Sequence, residues 1–230
     1  MLDFSRFEVL TFDCYGTLID WEDGILRYLE DLLSAHTKNA KHATLLEMFG
    51  ELEAAAERGE YRSYREVLGS VARGFGERLG FPVTEEQADW LASSLPQWKP
   101  WPDTVLALRR LQQRFRLAII SNVDDDLFAG TLPKLEVEFS QIVTAQQARA
   151  YKPSLQIFNL ALSRLNVPAA RILHVGQSIY HDVVPAQTLG LATVWVNRPS
   201  LRTGVGAVKQ SRGQPDLEVH CLVELADLCG

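Results

Sequence analysis

Cysteine is scarce in this chain of 230 residues: Cys14, Cys221 and Cys229 are irregularly spaced. That count argues against a disulfide framework and against a zinc site. Long apolar runs are missing too. No stretch approaches the roughly eighteen continuous apolar residues that a membrane helix needs, and the start carries Asp3 where a signal core would be apolar. The expected location is therefore the cytoplasm. There is also no basic block. The 23 Lys and Arg are scattered among 29 Asp and Glu, for a net charge of -6, so neither nucleic acid nor a membrane is an expected partner. Internal repeats and low-complexity tracts are absent as well. What remains, 47% hydrophobic and 23% charged residues, is the composition of a soluble globular protein with length for one domain or two.

The chain is organised around Val9-Leu10-Thr11-Phe12-Asp13-Cys14-Tyr15-Gly16-Thr17. Residues 9–12 are apolar, β-branched or aromatic and end in a turn signal, the pattern of a buried parallel strand. Asp13 would then stand at the carboxyl end of that strand, the edge where open α/β sheets bind ligands. Gly16 allows close approach of backbone to a ligand, and Thr17 adds a hydroxyl to the same loop. Cys14, next to the strand end, is expected to point into packing.

Asp20 opens a helix, with Ile25, Leu26, Leu29, Leu32 and Leu33 at helical spacing. Residues 43–95 stay helical in pattern, broken near Gly59, at Gly80-Phe81-Pro82 and at Pro96. After Trp98-Lys99-Pro100-Trp101-Pro102 the grammar changes. Asp103 is placed to cap a helix, and strands follow at Leu117–Ile120, Gln141–Val143, Ile172–Val175, Thr193–Val196 and Leu217–Val219, alternating with helical segments. Alternation of this kind implies an α/β, doubly wound parallel sheet of Rossmann-like type. The helical block interrupts the sheet after its first strand. Expected domains are thus a core of residues 1–19 and 98–230 and a helical cap of residues 20–97 standing over Asp13. Residues 203–213, rich in Gly and basic side chains, read as an exposed loop.

Four loops meet at the same sheet edge. They carry Asp13 with Thr17, Ser121 with Asn122, Lys152 before Pro153, and Gly176-Gln177-Ser178 followed by Asp182. In this order, across nearly the whole chain, the motifs resemble the haloacid dehalogenase-like (HAD) hydrolase superfamily. The resemblance implies that Asp13 attacks an electrophilic carbon or phosphorus and forms an ester that water then opens. It makes Asp13, Thr17, Lys152 and Asp182 the catalytic group. Lys152 is the cation that holds the carboxylate, and Asp182 orients Lys152 or a water. Cys14, Tyr15, Ser121, Asn122, Ser178 and His181 are the residues expected to contact a small anionic substrate, and a homodimer is the oligomer the family suggests.

The form Asp-x-Tyr-Gly-Thr is the one seen in L-2-haloacid dehalogenases. Phosphatases of the superfamily carry a second Asp where this chain has Tyr15 and a Gly-Asp pair where it has Gly176-Gln177. A phosphate dianion beside a carboxylate needs Mg²⁺, and an alkoxide needs a proton, whereas a halide needs neither. The expectation is a 2-haloacid dehalogenase-like hydrolase with no cofactor and no metal. A phosphatase with a rebuilt Mg²⁺ site and a non-catalytic binding module are the alternatives. One departure stands out: dehalogenases of the family set a cap arginine against the halide, and Met48-Phe49-Gly50-Glu51 offers none. Arg27, Arg58, Arg62 and Arg65 are the candidates to replace it. Phe158 stands where the family often has Tyr. Asp124-Asp125-Asp126 reads as solvated acids at a helix start, and His174 as a core histidine bonded to backbone. Trp21, Trp98 and Trp101 flank the cap hinges and are placed to shape a pocket.

Overall fold

A computed structural model describes residues 2–198, 207 and 211–230. Its centre is a strand of four residues, β1 (Val9–Phe12), buried along its whole length. Burial on both faces explains why those residues are continuously apolar. Parallel strands β2 (Arg116–Ser121) and β4 (Ile172–Gly176) flank it, with Phe12 opposite Ile119 on one side and Val175 on the other. The strands β3 (Gln141–Thr144), β5 (Ala192–Val196) and β6 (Leu217–Val219) complete a six-stranded, all-parallel sheet in the order β3-β2-β1-β4-β5-β6. This is the doubly wound order, and its direction reverses between β1 and β4. That reversal opens a crevice at the carboxyl ends of both strands.

Strand alternation sorts the core into two layers. Val9, Ala118, Ile120 and Ile172 face α8 (Leu155–Leu165) and α9 (Val184–Thr188) through Ile157, Phe158, Ala161 and Ala186. Leu10, Phe12, Leu117, Ile119 and Val175 face the other way, toward α5 (Thr104–Leu111) and α10 (Leu222–Cys229). Asp103 does not cap α5 through its side chain as expected. Its carboxylate accepts from Arg198 at 2.8 Å and from the Leu222 N–H at 2.6 Å, tying the start of α10 to the sheet edge.

Helices α1 (Trp21–Ala35), α2 (His42–Ala56), α3 (Tyr64–Leu79) and α4 (Glu85–Ser94) lie between β1 and β2 in the chain. Their boundaries follow local chemistry. Asp20 accepts from the Asp23 N–H at the start of α1, and Ser63–Glu66 and Thr84–Gln87 form capping boxes at the starts of α3 and α4. Gly80, at φ 75°, ends α3 in the left-handed region. The two connections to the sheet run side by side: the Asp20 N–H donates to the Lys99 oxygen at 2.9 Å, and the Trp101 N–H to Leu18 at 3.0 Å. Both therefore rise from the carboxyl edge beside Asp13.

The helix start read at Asp124-Asp125-Asp126 opens α6 (Asp125–Thr131), whereas two short elements escaped the sequence pattern: α7 (Ala145–Ala148) and the single π turn Ile179–Val183. Each is too brief to display a period. Of the expected loop 203–213, residues 203–206 and 208–210 lie outside the described residues, 211–213 are exposed, and Ala207 is buried. Among the described residues no helix is long and apolar enough to cross a membrane.

Candidate active site

At the floor of the crevice the structure joins three of the motifs. The Lys152 ammonium donates to Asp13 Oδ1 at 2.8 Å, to Asp182 Oδ1 at 2.7 Å and to the Ile120 oxygen at 3.0 Å. All three of its protons are thereby engaged. Asp13 is 7% exposed, and its other oxygen accepts from the Thr17 hydroxyl at 2.6 Å. Thr17 Oγ1 in turn accepts from the Gln177 N–H. Asp182 takes the Ser178 N–H on Oδ2 and lies 3.4 Å from His174 Nε2. His174 is a core histidine as expected, but its partners are Asp182 and the Thr11 hydroxyl at 2.9 Å rather than backbone. Phe158 meets the same imidazole edge-on and has no access to the crevice.

Electrostatics follow from this dry arrangement. Burial opposes a charge on Asp182, yet the ammonium of Lys152 and the His174 ring outweigh it and hold the carboxyl below the ordinary range. Burial likewise opposes the charge on Lys152, and the two carboxylates override it and keep the ammonium protonated well above neutrality. For Asp13 burial wins over Lys152 and Thr17, with Asp182 adding repulsion, so its carboxyl is pushed upward. A carboxylate short of solvation, with oxygens fixed by one ammonium and one hydroxyl, is arranged as a nucleophile.

The floor opens into an inner cavity of about 60 Å³ lined by Asp13, Tyr15, Ser121, Asn122, Ser178 and His181, among others. The sequence-derived contact residues thus converge, with one correction. Cys14 is fully buried and packs in the core under the sheet edge, because alternation turns it away from Asp13. Asn122 reaches the cavity, but its amide is occupied with the backbone of Lys152, accepting from the N–H at 2.7 Å and donating to the oxygen at 3.2 Å. Its visible work is to hold Lys152 in place. Tyr15 hydrogen-bonds Thr131 through its hydroxyl, and Ser178 Oγ lies 3.2 Å from His181 Nδ1.

Three further wall residues come from the helical insertion: Glu53, Glu57 and Tyr64. Pattern reading missed them, although a signal exists. Leu45 and Phe49 are buried on one stripe of α2, and Glu53 and Glu57 continue that stripe at four-residue intervals. Acids that extend an apolar stripe mark a polar lining. Both carboxyls also line a larger outer cavity of about 440 Å³, with Lys152, His181 and Ala207, so they stand where the two spaces meet. Arg58 lines only the outer space. Arg27 pairs with Asp23, Arg62 bonds the Ala56 oxygen, and Arg65 bonds Asp89 and Asp126. None of the four candidate arginines lines the inner cavity.

The donor set does not suit a Mg²⁺ ion. Asp13 and Asp182 already share the Lys152 ammonium, and the neighbouring positions supply a phenol at Tyr15 and an amide at Gln177 rather than a carboxylate. Among the described residues no cluster of three or more His, Cys, Asp or Glu could hold a metal.

Gly16 closes the loop at φ 98°, and a Cβ there would sit 2.2 Å from Gln177 Oε1 and 3.1 Å from Trp21 Nε1. Gly16→Ala is expected to lower stability by about 1–3 kcal/mol through strain in the left-handed region. Urea unfolding measures it.

Fold and site together define an enzyme-like α/β protein whose buried carboxylate sits at the sheet's switch point under inserted helices. The family description "haloacid dehalogenase-like hydrolase" matches residues 7–190, and the chain belongs to that family. It is 24% identical over 219 residues to a (S)-2-haloacid dehalogenase of Pseudomonas fluorescens, covering 94% of this chain and 93% of that one. It is also 28% identical to the Escherichia coli phosphatase YigB, which acts on 5-amino-6-(5-phospho-D-ribitylamino)uracil, with 97% of each chain covered. In fold it resembles the L-2-haloacid dehalogenase structure from Xanthobacter autotrophicus, with a TM-score of 0.79, 21% identity, and coverage of 96% and 98% of the two chains.

Proposed function

We propose that the protein removes halide from a small 2-haloacid by way of an ester on Asp13, with residues 20–97 serving as the cap and residues 1–19 and 98–230 as the core. One observation carries the choice over a phosphatase: the Asp13 and Asp182 carboxylates are bridged by Lys152, and amide and phenol occupy the positions that would complete a metal site. A monoanionic carboxylate substrate suits this floor, whereas a phosphate dianion against Asp13 would need a divalent counter-charge, which Tyr15 and Gln177 are poorly suited to hold.

An Asp13 oxygen forms a C–O bond at C2 from the side opposite the halogen. The C–X electron pair leaves with the halide, and the centre inverts. Water then attacks Cγ of Asp13. The bond from the acyl carbon to the substrate oxygen breaks, one water proton completes the 2-hydroxy acid, and the other is released as Asp13 recharges beside Lys152. Ser121, buried and without a partner among the described residues, is placed to donate to the substrate carboxylate.

The test is multiple turnover of 2-chloropropionate in water enriched in heavy oxygen, followed by peptide mass spectrometry. Chloride release and heavy oxygen retained in the peptide that carries Asp13 are expected. Chloride release with an unlabelled peptide would mean that water attacks the substrate directly. Phosphate release from small esters on adding Mg²⁺, with no halide from any haloacid, would establish the phosphatase instead.

A further inference from the structure

In-line displacement fixes where the departing group must go. Asp13 attacks from the sheet edge, so the bond that breaks points away from the sheet, toward the wall made by the inserted helices. That wall holds Glu53, Glu57 and Tyr64, and among the described residues Lys152 is the only Lys or Arg lining the inner cavity. Glu53 is also fixed in position. Its Oε1 accepts from the Tyr64 hydroxyl at 2.7 Å, which leaves Oε2 for another partner. Two more polar groups in the same lining have no partner among the described residues, the Trp21 indole N–H and the Ser121 hydroxyl. Trp21 is 9% exposed and Ser121 fully buried. Unpaired buried donors are costly, and together they mark a space built to surround a polar ligand.

We propose that Glu53 donates a hydrogen bond to the departing halide. This rests on the reading of the site as a dehalogenase and adds its leaving-group side. A carboxyl can donate only while it is protonated. Burial pushes Glu53 up to about 7, against the opposing pull of the Tyr64 hydrogen bond. Glu57, four residues along α2, is raised by burial and by Glu53 itself, with Lys152 opposing. The other titratable groups facing this space are Asp13, Asp182, Tyr15 and His181. The C–X pair leaves with the halide, and Glu53 keeps its proton throughout, so no net proton is transferred.

Two measurements test it: chloride release from 2-chloropropionate against pH, and binding of chloride to the resting protein, read from the chloride NMR linewidth. Variants Glu53→Gln and Glu53→Ala are compared with the parent. Since the protonated form is the donor, parent turnover and chloride binding are expected to fall as pH rises through about 7. Glu53→Gln presents an amide N–H at every pH, so it should retain both activities and lose that alkaline limb. This separates Glu53 from His181 and Glu57. Glu53→Ala should lose about 10²-fold in kcat, the usual effect of one well-placed donor, along with chloride binding. An alkaline limb that persists in Glu53→Gln, or chloride binding unchanged in Glu53→Ala, overturns the proposal. If the parent releases no halide from any haloacid while chloride binding follows the stated pattern, the dehalogenase reading fails and the halide site stands.

Discussion

Lys152→Met is expected to abolish turnover and to reverse the pH dependence of stability. The ammonium is the counter-charge shared by Asp13 and Asp182, and removing one partner of a buried ionic cluster costs about 3–5 kcal/mol because the remaining charges stay buried. In the parent, Asp182 sits below its ordinary range. Its contribution to stability is therefore present above the unfolded value of about 3.9 and lost as pH falls through the folded value. Asp13, already raised by burial, works in the other direction, and the loss of Lys152 adds to that. Without the ammonium both carboxyls shift upward. The variant should then be most stable below the unfolded value and melt progressively earlier as pH rises toward neutrality. Thermal melts from about pH 3 to about pH 8 distinguish the two slopes. Turnover should fall by at least about 10³-fold, as for other members of a catalytic group, because Asp13 becomes a neutral and misplaced acid. Parallel melting slopes in parent and variant would mean that the three groups do not share one charge environment.

The strands could be read from sequence because each is a short apolar run ending at a turn signal, and their alternation with helices gave the parallel sheet and the crevice. Asp13 was recognisable because it directly follows β1, and Thr17, Lys152 and Asp182 because their loops resemble the family's motifs and topology brings those loops to the same edge. Glu53, Glu57 and Tyr64 were not. They lie on helices whose packing against the sheet is set by tertiary contacts, and an acid on a helix is ordinarily solvated. Cys14 was read both ways: its place in the motif suggested substrate contact, its place beside the strand suggested packing, and the two-residue period of the strand sends it into the core. The acids after Ser121-Asn122 show an error of another kind. Helix starts attract solvated carboxylates in general, yet Asp124 is 3% exposed, because the helix end it serves belongs to a different part of the chain.

That other helix end is the start of α3, and Asp124→Ala is expected to detach it. The first four N–H groups of a helix have no partner inside the helix. In α3 all four are accounted for: Asp124 Oδ1 accepts from Tyr64 at 2.9 Å, Oδ2 accepts from Arg65 at 2.9 Å, Ser63 Oγ takes the Glu66 N–H, and Glu66 Oε2 takes the Ser63 N–H at 2.9 Å. Tyr61 adds its hydroxyl to Oδ1 at 3.3 Å. One carboxylate on the loop after β2 thus anchors the inserted helices to the sheet, and it fixes the residue whose hydroxyl holds Glu53. Losing charge-assisted bonds to a helix N-terminus should cost about 2–4 kcal/mol in urea unfolding. Asp124→Asn keeps an acceptor and the shape of the side chain, so its cost should be about half that. Hydrogen exchange locates the effect: in Asp124→Ala the Tyr64 and Arg65 amides should exchange faster at conditions where β1 remains protected, since a local opening lies below global unfolding. KM for 2-chloropropionate should rise more than kcat falls if the wall loosens while Asp13 and Lys152 keep their geometry. Equal acceleration of exchange in α3 and β1 would place the loss in the whole fold and remove Asp124 as the anchor of the cavity wall.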